Sequence, residues 1–394
     1  MMVRKMNPGW RRVKFGDVVR LSKARCADPL AEGIERYVGL EHLEPGDLRI
    51  RSWGNVADGV TFNSLFKPGQ VLFGKRRAYQ RKVAIADFTG VCSGDIYALE
   101  SKDAGALLPE LLPFICQTDT FFEHAVGTSA GSLSPRTNWT SLAQFEFALP
   151  PVEDQHSAVT LLKAATDYCY VVEEAYVAAE RVLQAYKDAL TGGDASADAK
   201  SYLLGNLLSS SPESGCSAPP KDATTSHFVL GLAALSRNGY VSGDYKPVEP
   251  TSKMLAAKLT AGDLLISRSN TVDRVGYVGI YSDDRDDVSF PDTMMRLMPD
   301  PTLILPGFLE ALLQTTPARG YLMRIAAGTS ASMKKINRAN LLKMPLNVPS
   351  LRDQGAALEQ LQEIKGAMAT QKSRLDDGRR LTMLIAAQAM GGEA

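Results

Sequence analysis

The chain has 394 residues, 45% of them hydrophobic and 22% charged, so two or more folded units with real cores are expected. Its 44 basic and 44 acidic residues cancel, which excludes a generally cationic nucleic-acid binder and leaves any such role to local patches. No apolar run approaches the ~18 residues of a membrane span, residues 1–10 lack a signal-peptide pattern, and the five scattered cysteines with no CxxC argue against a zinc site or disulfide framework, so a cytoplasmic protein with no membrane contact is expected.

In chain order, short apolar strands and turns come first. Val71-Leu72-Phe73, residues 83–86 and residues 96–99 read as strands, punctuated by Pro45-Gly46-Asp47 and Lys67-Pro68-Gly69. An amphipathic helix is predicted over residues 109–118, then a Gly/Ser-rich loop and a last strand ending in Pro. Residues 153–190 follow without a Gly or Pro, and steps of three and four run through Leu162, Cys169, Val172, Tyr176 and Leu183. One helix of that length, rising ~1.5 Å per residue, would span about 57 Å. Thr191-Gly192-Gly193 ends it.

The second half repeats the first in order. Phe15-Gly16-Asp17 matches Leu204-Gly205-Asn206, and the stretch from Pro68 to Arg76 matches that from Ala261 to Ser269. Gly127-Thr128-Ser129-Ala130 recurs letter for letter at Gly328-Thr329-Ser330-Ala331, and Pro150, Asp154 and Gln155 correspond to Pro349, Asp353 and Gln354. The shifts drift only from 189 to 201 residues, as short loop gaps would give. The pattern is one large unit used twice. A second long helix is expected over residues 351–390, with a weaker seam through Leu361, Ile364, Met368 and Leu375 and a cost of ~1 kcal/mol at each of Gly366 and Gly378. The expected architecture is α+β: a mixed unit at 1–152, a long helix at 153–190, a linker at 191–200, a second unit at 201–350, and the second helix packed antiparallel on the first.

Two tempting catalytic motifs fail. Residues 69–75 spell G-x-x-x-x-G-K, but Arg76 stands where a phosphate loop needs Ser or Thr, and Val71-Leu72-Phe73 is a strand rather than a loop. Residues 127–131 spell G-x-S-x-G, but no buried strand precedes them, no helix follows, and no Asp and His pair is available downstream. A Gly/Ser turn with exposed hydroxyls fits better.

A third motif survives. Lys75, Arg76, Arg77, Arg81 and Lys82 put five cations in eight residues just after a strand, with Tyr79 among them. The same place in the second half carries Arg268, Ser269, Asn270 and Arg274. The Gly/Ser loops add Ser132, Ser134, Arg136 and Asn138 in one unit, and Lys334, Lys335, Asn337 and Arg338 in the other. Arg pairs with guanine and Asn with adenine in the major groove, while Lys and Ser hold phosphates, so these residues are candidate DNA contacts, with Arg77 and Asn270 the better candidates for bases. The copies agree in framework and differ in these loops, as two readers of different sequences would.

At these residues the chain resembles the specificity subunit of type I restriction–modification systems. The resemblance rests on Val13-Lys14-Phe15-Gly16-Asp17, Phe73-Gly74-Lys75-Arg76-Arg77-Ala78-Tyr79, Cys92-Ser93-Gly94-Asp95, residues 127–138, and Leu149-Pro150-Pro151-Val152-Glu153-Asp154-Gln155 ahead of the long helix. It implies two target recognition domains, each reading half of a split double-stranded DNA site, joined by an antiparallel coiled coil that sets the gap. It also implies partners: two methyltransferase subunits and restriction subunits, which would carry S-adenosylmethionine, ATP and Mg while this chain holds no cofactor or metal and catalyses nothing. The rival expectation is a scaffold that binds proteins and not DNA.

Overall fold

Lys67-Pro68-Gly69 turns the chain into the central strand of the first unit. Gly69 takes a left-handed conformation (φ +85°) with open space around it, and Gly262 does the same in the second unit (φ +101°). The structure, a computed structural model, describes residues 7–191, 198–221, 225–328 and 333–391. Most of the linker, and residues 329–331 of the repeated Gly-Thr-Ser-Ala, lie outside the described residues. Two compact units emerge: Met1–Glu174 with Lys372–Ala394, and Ala175–Gln371.

In the first unit Val71–Gly74 is buried on both faces, as its unbroken apolar run requires. It lies between Ile96–Ser101 and Val83–Ile85, with Val19–Leu21 outside, all antiparallel. A second sheet holds Gly54–Asn55, Arg36–Val38, Gly90–Cys92 and Ser64–Phe66. Arg11–Lys14 pairs with Glu146–Leu149 just before the long helix. The core joins Phe15, Phe73, Phe121, Phe145 and Leu162. Residues 109–118 form less helix than expected: only Leu112–Ile115 is helical, and the larger helix, Asp119–Gly127, follows it.

The second unit repeats this topology. Leu264–Ser267 lies between Met294–Leu297 and Val278–Ile280, with Glu213–Ser214 outside. Lys200–Leu203 pairs with Pro345–Val348.

The long helices run Val152–Ala189 and Leu351–Gln388. Cys169 and Val172 pack on Leu375 in the first unit, while Leu183 packs on Leu361 and Met368 in the second, flanked by Tyr176 and Ile364. Leu162 instead enters the core of the first unit. Gly378 has a reason absent from its helix propensity: a Cβ there would lie 2.8 Å from the Cys169 sulfur and 3.2 Å from the Tyr168 ring. Gly366 has open space around it.

The Pro and Gln that close each unit share one device. Gln155, fully buried, accepts from the Leu108 N–H (2.9 Å) and donates to the carbonyls of Ala106 (3.0 Å) and Pro150 (2.9 Å). Gln354 does the same with Leu305 (2.8 Å), Leu303 (3.0 Å) and Pro349 (3.0 Å). Each fastens its helix start to the loop before the short helices by satisfying three backbone groups at once.

Candidate nucleic-acid interface

The basic turn begins where the buried strand Val71–Gly74 runs out. The Lys75 N–H donates to the Asp95 carbonyl (2.9 Å), and its own carbonyl accepts from Thr137 (3.1 Å). In the second unit the Arg268 N–H donates to Thr293 (2.8 Å) and its carbonyl accepts from Ile336 (2.9 Å). The backbone register is the same, so Lys75, Arg76 and Arg77 stand where Arg268, Ser269 and Asn270 stand. Arg76 bridges Arg136 as Ser269 pairs with Lys335. The sequence therefore brings basic turn and Gly/Ser loop together in both units.

In the first unit the turn is tight. Arg77 and Arg81 are the two non-glycine residues with positive φ among those described, at 54° and 57°, and they bracket the short turn Ala78–Gln80. Tyr79 at its tip is 55% exposed. Lys75 lies over the Tyr97 ring (4.7 Å). Ser134 accepts from Arg76 (3.0 Å) and Arg77 (3.3 Å). Asp95 accepts from Arg136 (2.7 and 3.4 Å) and from Arg76 (3.3 Å). The bond from Arg136 and then that from Arg76 hold the Asp95 carboxyl below its ordinary range, against the opposing effect of partial burial. Ser132 is exposed.

Three candidates here have structural employment. Arg81 pairs with Asp119 (2.5 Å) and the Gln117 carbonyl (3.1 Å), Lys82 donates to the Leu40 carbonyl (2.7 Å), and the Asn138 side chain caps the helix Trp139–Leu142 through the Ser141 N–H (2.8 Å).

In the second unit two of the candidates lie inside the fold. Ser269 and Asn270 are buried, at 3% and 6% exposure. Ser269 donates to the Met333 sulfur (2.9 Å), while Asn270 donates to Ser267 (3.4 Å) and accepts from the Thr271 N–H (2.9 Å). The short strands Ser269–Asn270 and Lys334–Ile336 pair here, and with both side chains buried neither presents itself as a base reader. Asn337 caps Arg338–Leu342 through the Ala339 N–H (2.7 Å), and Lys334 donates to the Gly328 carbonyl (2.6 Å). Arg338 reaches Ser214 (3.1 Å), Arg274 lies 4.0 Å from Asp273, and Lys335 is exposed. Arg268 is half-buried.

The sequence reading missed Asp95 as a hub, although one carboxylate in Cys92-Ser93-Gly94-Asp95 near so many cations was a usable signal. It also missed a cluster in the first unit. Glu173 accepts from Arg49 (2.9 Å), Arg379 (3.2 Å) and Arg51; Arg51 also pairs with Asp47, and Arg49 stacks over Tyr170 (3.5 Å). In the second unit a buried lysine does comparable work: Lys187 donates to Gln314 (2.7 Å), and burial pulls it down to about 8.

No protein-family model matches the chain. A curated relative, the specificity subunit of the type I restriction enzyme EcoDI of Escherichia coli, is 30% identical over 175 residues, and the match spans 42% of this chain and 36% of that protein's length. Among solved structures, a chain described in connection with complex assembly and conformational transition of a type I restriction–modification system superposes with a TM-score of 0.60 at 18% identity, covering 98% of both chains. The S subunit of the type I system of M. genitalium superposes with a TM-score of 0.53 at 12% identity, again over 98% of each. The fold is that of a type I specificity subunit. On the specificity-subunit fold the two rejected motifs occupy ordinary framework positions. Residues 69–75 are a turn and a buried strand. The Ser129 hydroxyl is not the free group expected of an open turn: it donates to the Ala125 carbonyl (2.7 Å), and Thr128 likewise donates to His124 (2.8 Å). Among the described residues no helix is long and apolar enough to cross a membrane.

Proposed function

We propose that this chain is the DNA-specificity subunit of a type I restriction–modification enzyme, reading a bipartite duplex site without catalysing any step. The observation that carries the reading is the shared register at Lys75 and Arg268: one scaffold position, used twice, with different cationic and polar side chains displayed beyond it. A duplicated framework with divergent contact residues is what two half-sites of unlike sequence require. Arg76, Arg77 and Arg136 in the first unit, and Arg268, Lys335 and Arg338 in the second, are the contacts favoured by their positions. The long helices would set the gap between half-sites.

Methyltransferase subunits would dock on the helices. On the first long helix Leu161, Tyr168, Val171, Ala175 and Val182 fall on heptad steps outside the buried seam and are all exposed; Leu161 is 58%, Val171 66% and Val182 56% exposed. A second apolar seam left in solvent suits a partner helix. S-adenosylmethionine, ATP and Mg would reside on the methyltransferase and restriction subunits, in the cytoplasm. The zero net charge predicts weak DNA binding by this chain alone, because phosphate neutralisation dominates affinity.

Selection from a random duplex pool, using the chain co-purified with the methyltransferase that accompanies it, tests this. Two short conserved blocks at a fixed separation are expected. Salt-independent capture with no shared sequence would favour the scaffold reading instead.

A further inference from the structure

Taking the reading above as its basis, we propose that Asp95 is a positioning residue for recognition of the first half-site, a carboxylate clamp that holds Arg76 and Arg136 in a single displayed arrangement, and that the second unit reads its half-site without such a clamp.

The geometry is local and complete on one unit. One carboxylate takes two bonds from Arg136, at 2.7 and 3.4 Å, and one from Arg76 at 3.3 Å. Ser134 continues the array from Arg76 to Arg77. The basic turn and the Gly/Ser loop, 58 residues apart at Arg76 and Ser134, are thereby locked together. The Nε atoms of Arg76 and Arg77 are buried with no partner among the described residues, so the outer nitrogens of each guanidinium make the bonds that fix it.

The matching positions in the second unit change the chemistry. The shared register puts Ser269 in place of Arg76, Lys335 in place of Arg136 and Thr293 in place of Asp95. Ser269 is turned onto Met333, Lys335 is exposed, and the Thr293 hydroxyl is buried with no hydrogen-bond partner among the described residues. Among the described residues nothing there joins a carboxylate to two cations.

A fixed guanidinium favours bidentate contact with a base edge, whereas a free one gives its charge to any phosphate within reach. The carboxylate also cancels charge that would otherwise strengthen binding to every sequence alike. Asp95 therefore exchanges general affinity for discrimination.

The test uses the full chain with its methyltransferase, the duplex selected by that complex, and duplexes mismatched singly in one half or the other. Asp95→Asn is expected to lower discrimination against mismatches in one half about tenfold, within the range of a lost base contact. The other half should be read as before. Affinity for an unrelated duplex should rise several-fold, with a steeper salt dependence, as one or two freed cations meet phosphates. Asp95→Glu should restore much of the discrimination. Unchanged discrimination and salt slope in Asp95→Asn would overturn the clamp. So would equal loss in both halves, which marks a general structural role, with the thermal midpoint of each variant measured alongside. If the unsubstituted complex selects no sequence, it is the DNA-reading function that fails.

Discussion

Arg77 and Asn270 occupy one framework position and do different things. Arg77 is half-buried, with its outer nitrogen on Ser134, and remains available at the turn. Arg77→Ala should weaken one half-site by about 1–3 kcal/mol if it reads a base, seen as relaxed preference at one position of the methylated sequence. A uniform loss over all sequences would identify a phosphate contact instead. Asn270→Ala should act on stability, since its amide bonds inward. Lys187 offers a pH test of the second unit. Burial lowers its pKa from 10.5 to about 8. Between those values the unfolded chain binds more protons than the folded one, so stability rises with pH there; below about 8 the lysine is charged in both states and its burial cost is at its full value. Urea unfolding of the second unit should shift to higher midpoints from pH 8 to pH 10, and Lys187→Met should remove that rise. A flat profile in the unsubstituted protein would contradict it.

At the scale of elements, the two glycines of the second long helix separate propensity from packing. Gly366 has open surroundings, so Gly366→Ala should stabilise by up to about 1 kcal/mol. Gly378→Ala should gain the same propensity and lose more, because the new methyl meets Cys169. Thermal unfolding of the two variants should shift in opposite directions. Gln155→Ala removes the partner of three backbone groups, two of the bonds buried and one part-buried, and should cost roughly 3 kcal/mol. The long helices, their seam and the repeat were legible because heptad spacing and collinear matches survive without tertiary information. The Pro and Gln of each unit were visible as letters, but their stapling of a loop 47 and 49 residues away was not. Burial of Ser269 and Asn270 was hidden for a related reason: the two pair with Lys334–Ile336 and Ser269 bonds to Met333, 64 residues on, contacts that no local pattern announces.

For the whole molecule, duplication lets each half be tested by itself. Removing one helical turn from each long helix, about four residues apiece, should alter the tolerated separation of the two half-sites and leave their sequences intact. Equal methylation of sites at every separation would sink the idea that the helices measure the gap. The apolar stripe on the first helix adds a second test: Leu161→Glu with Val171→Glu should release the methyltransferase in co-purification while the chain keeps its own unfolding profile. Retention of the partner would place its docking surface elsewhere. The central claim, that one chain reads two unlike sequences at a fixed distance, is met most directly by base-resolution methylation mapping of cellular DNA with and without this protein. The account predicts a single bipartite motif, two specified blocks around an unspecified gap of constant length, that vanishes when the protein is absent. A methylation pattern that does not change on its removal, or one continuous motif without a gap, would contradict it.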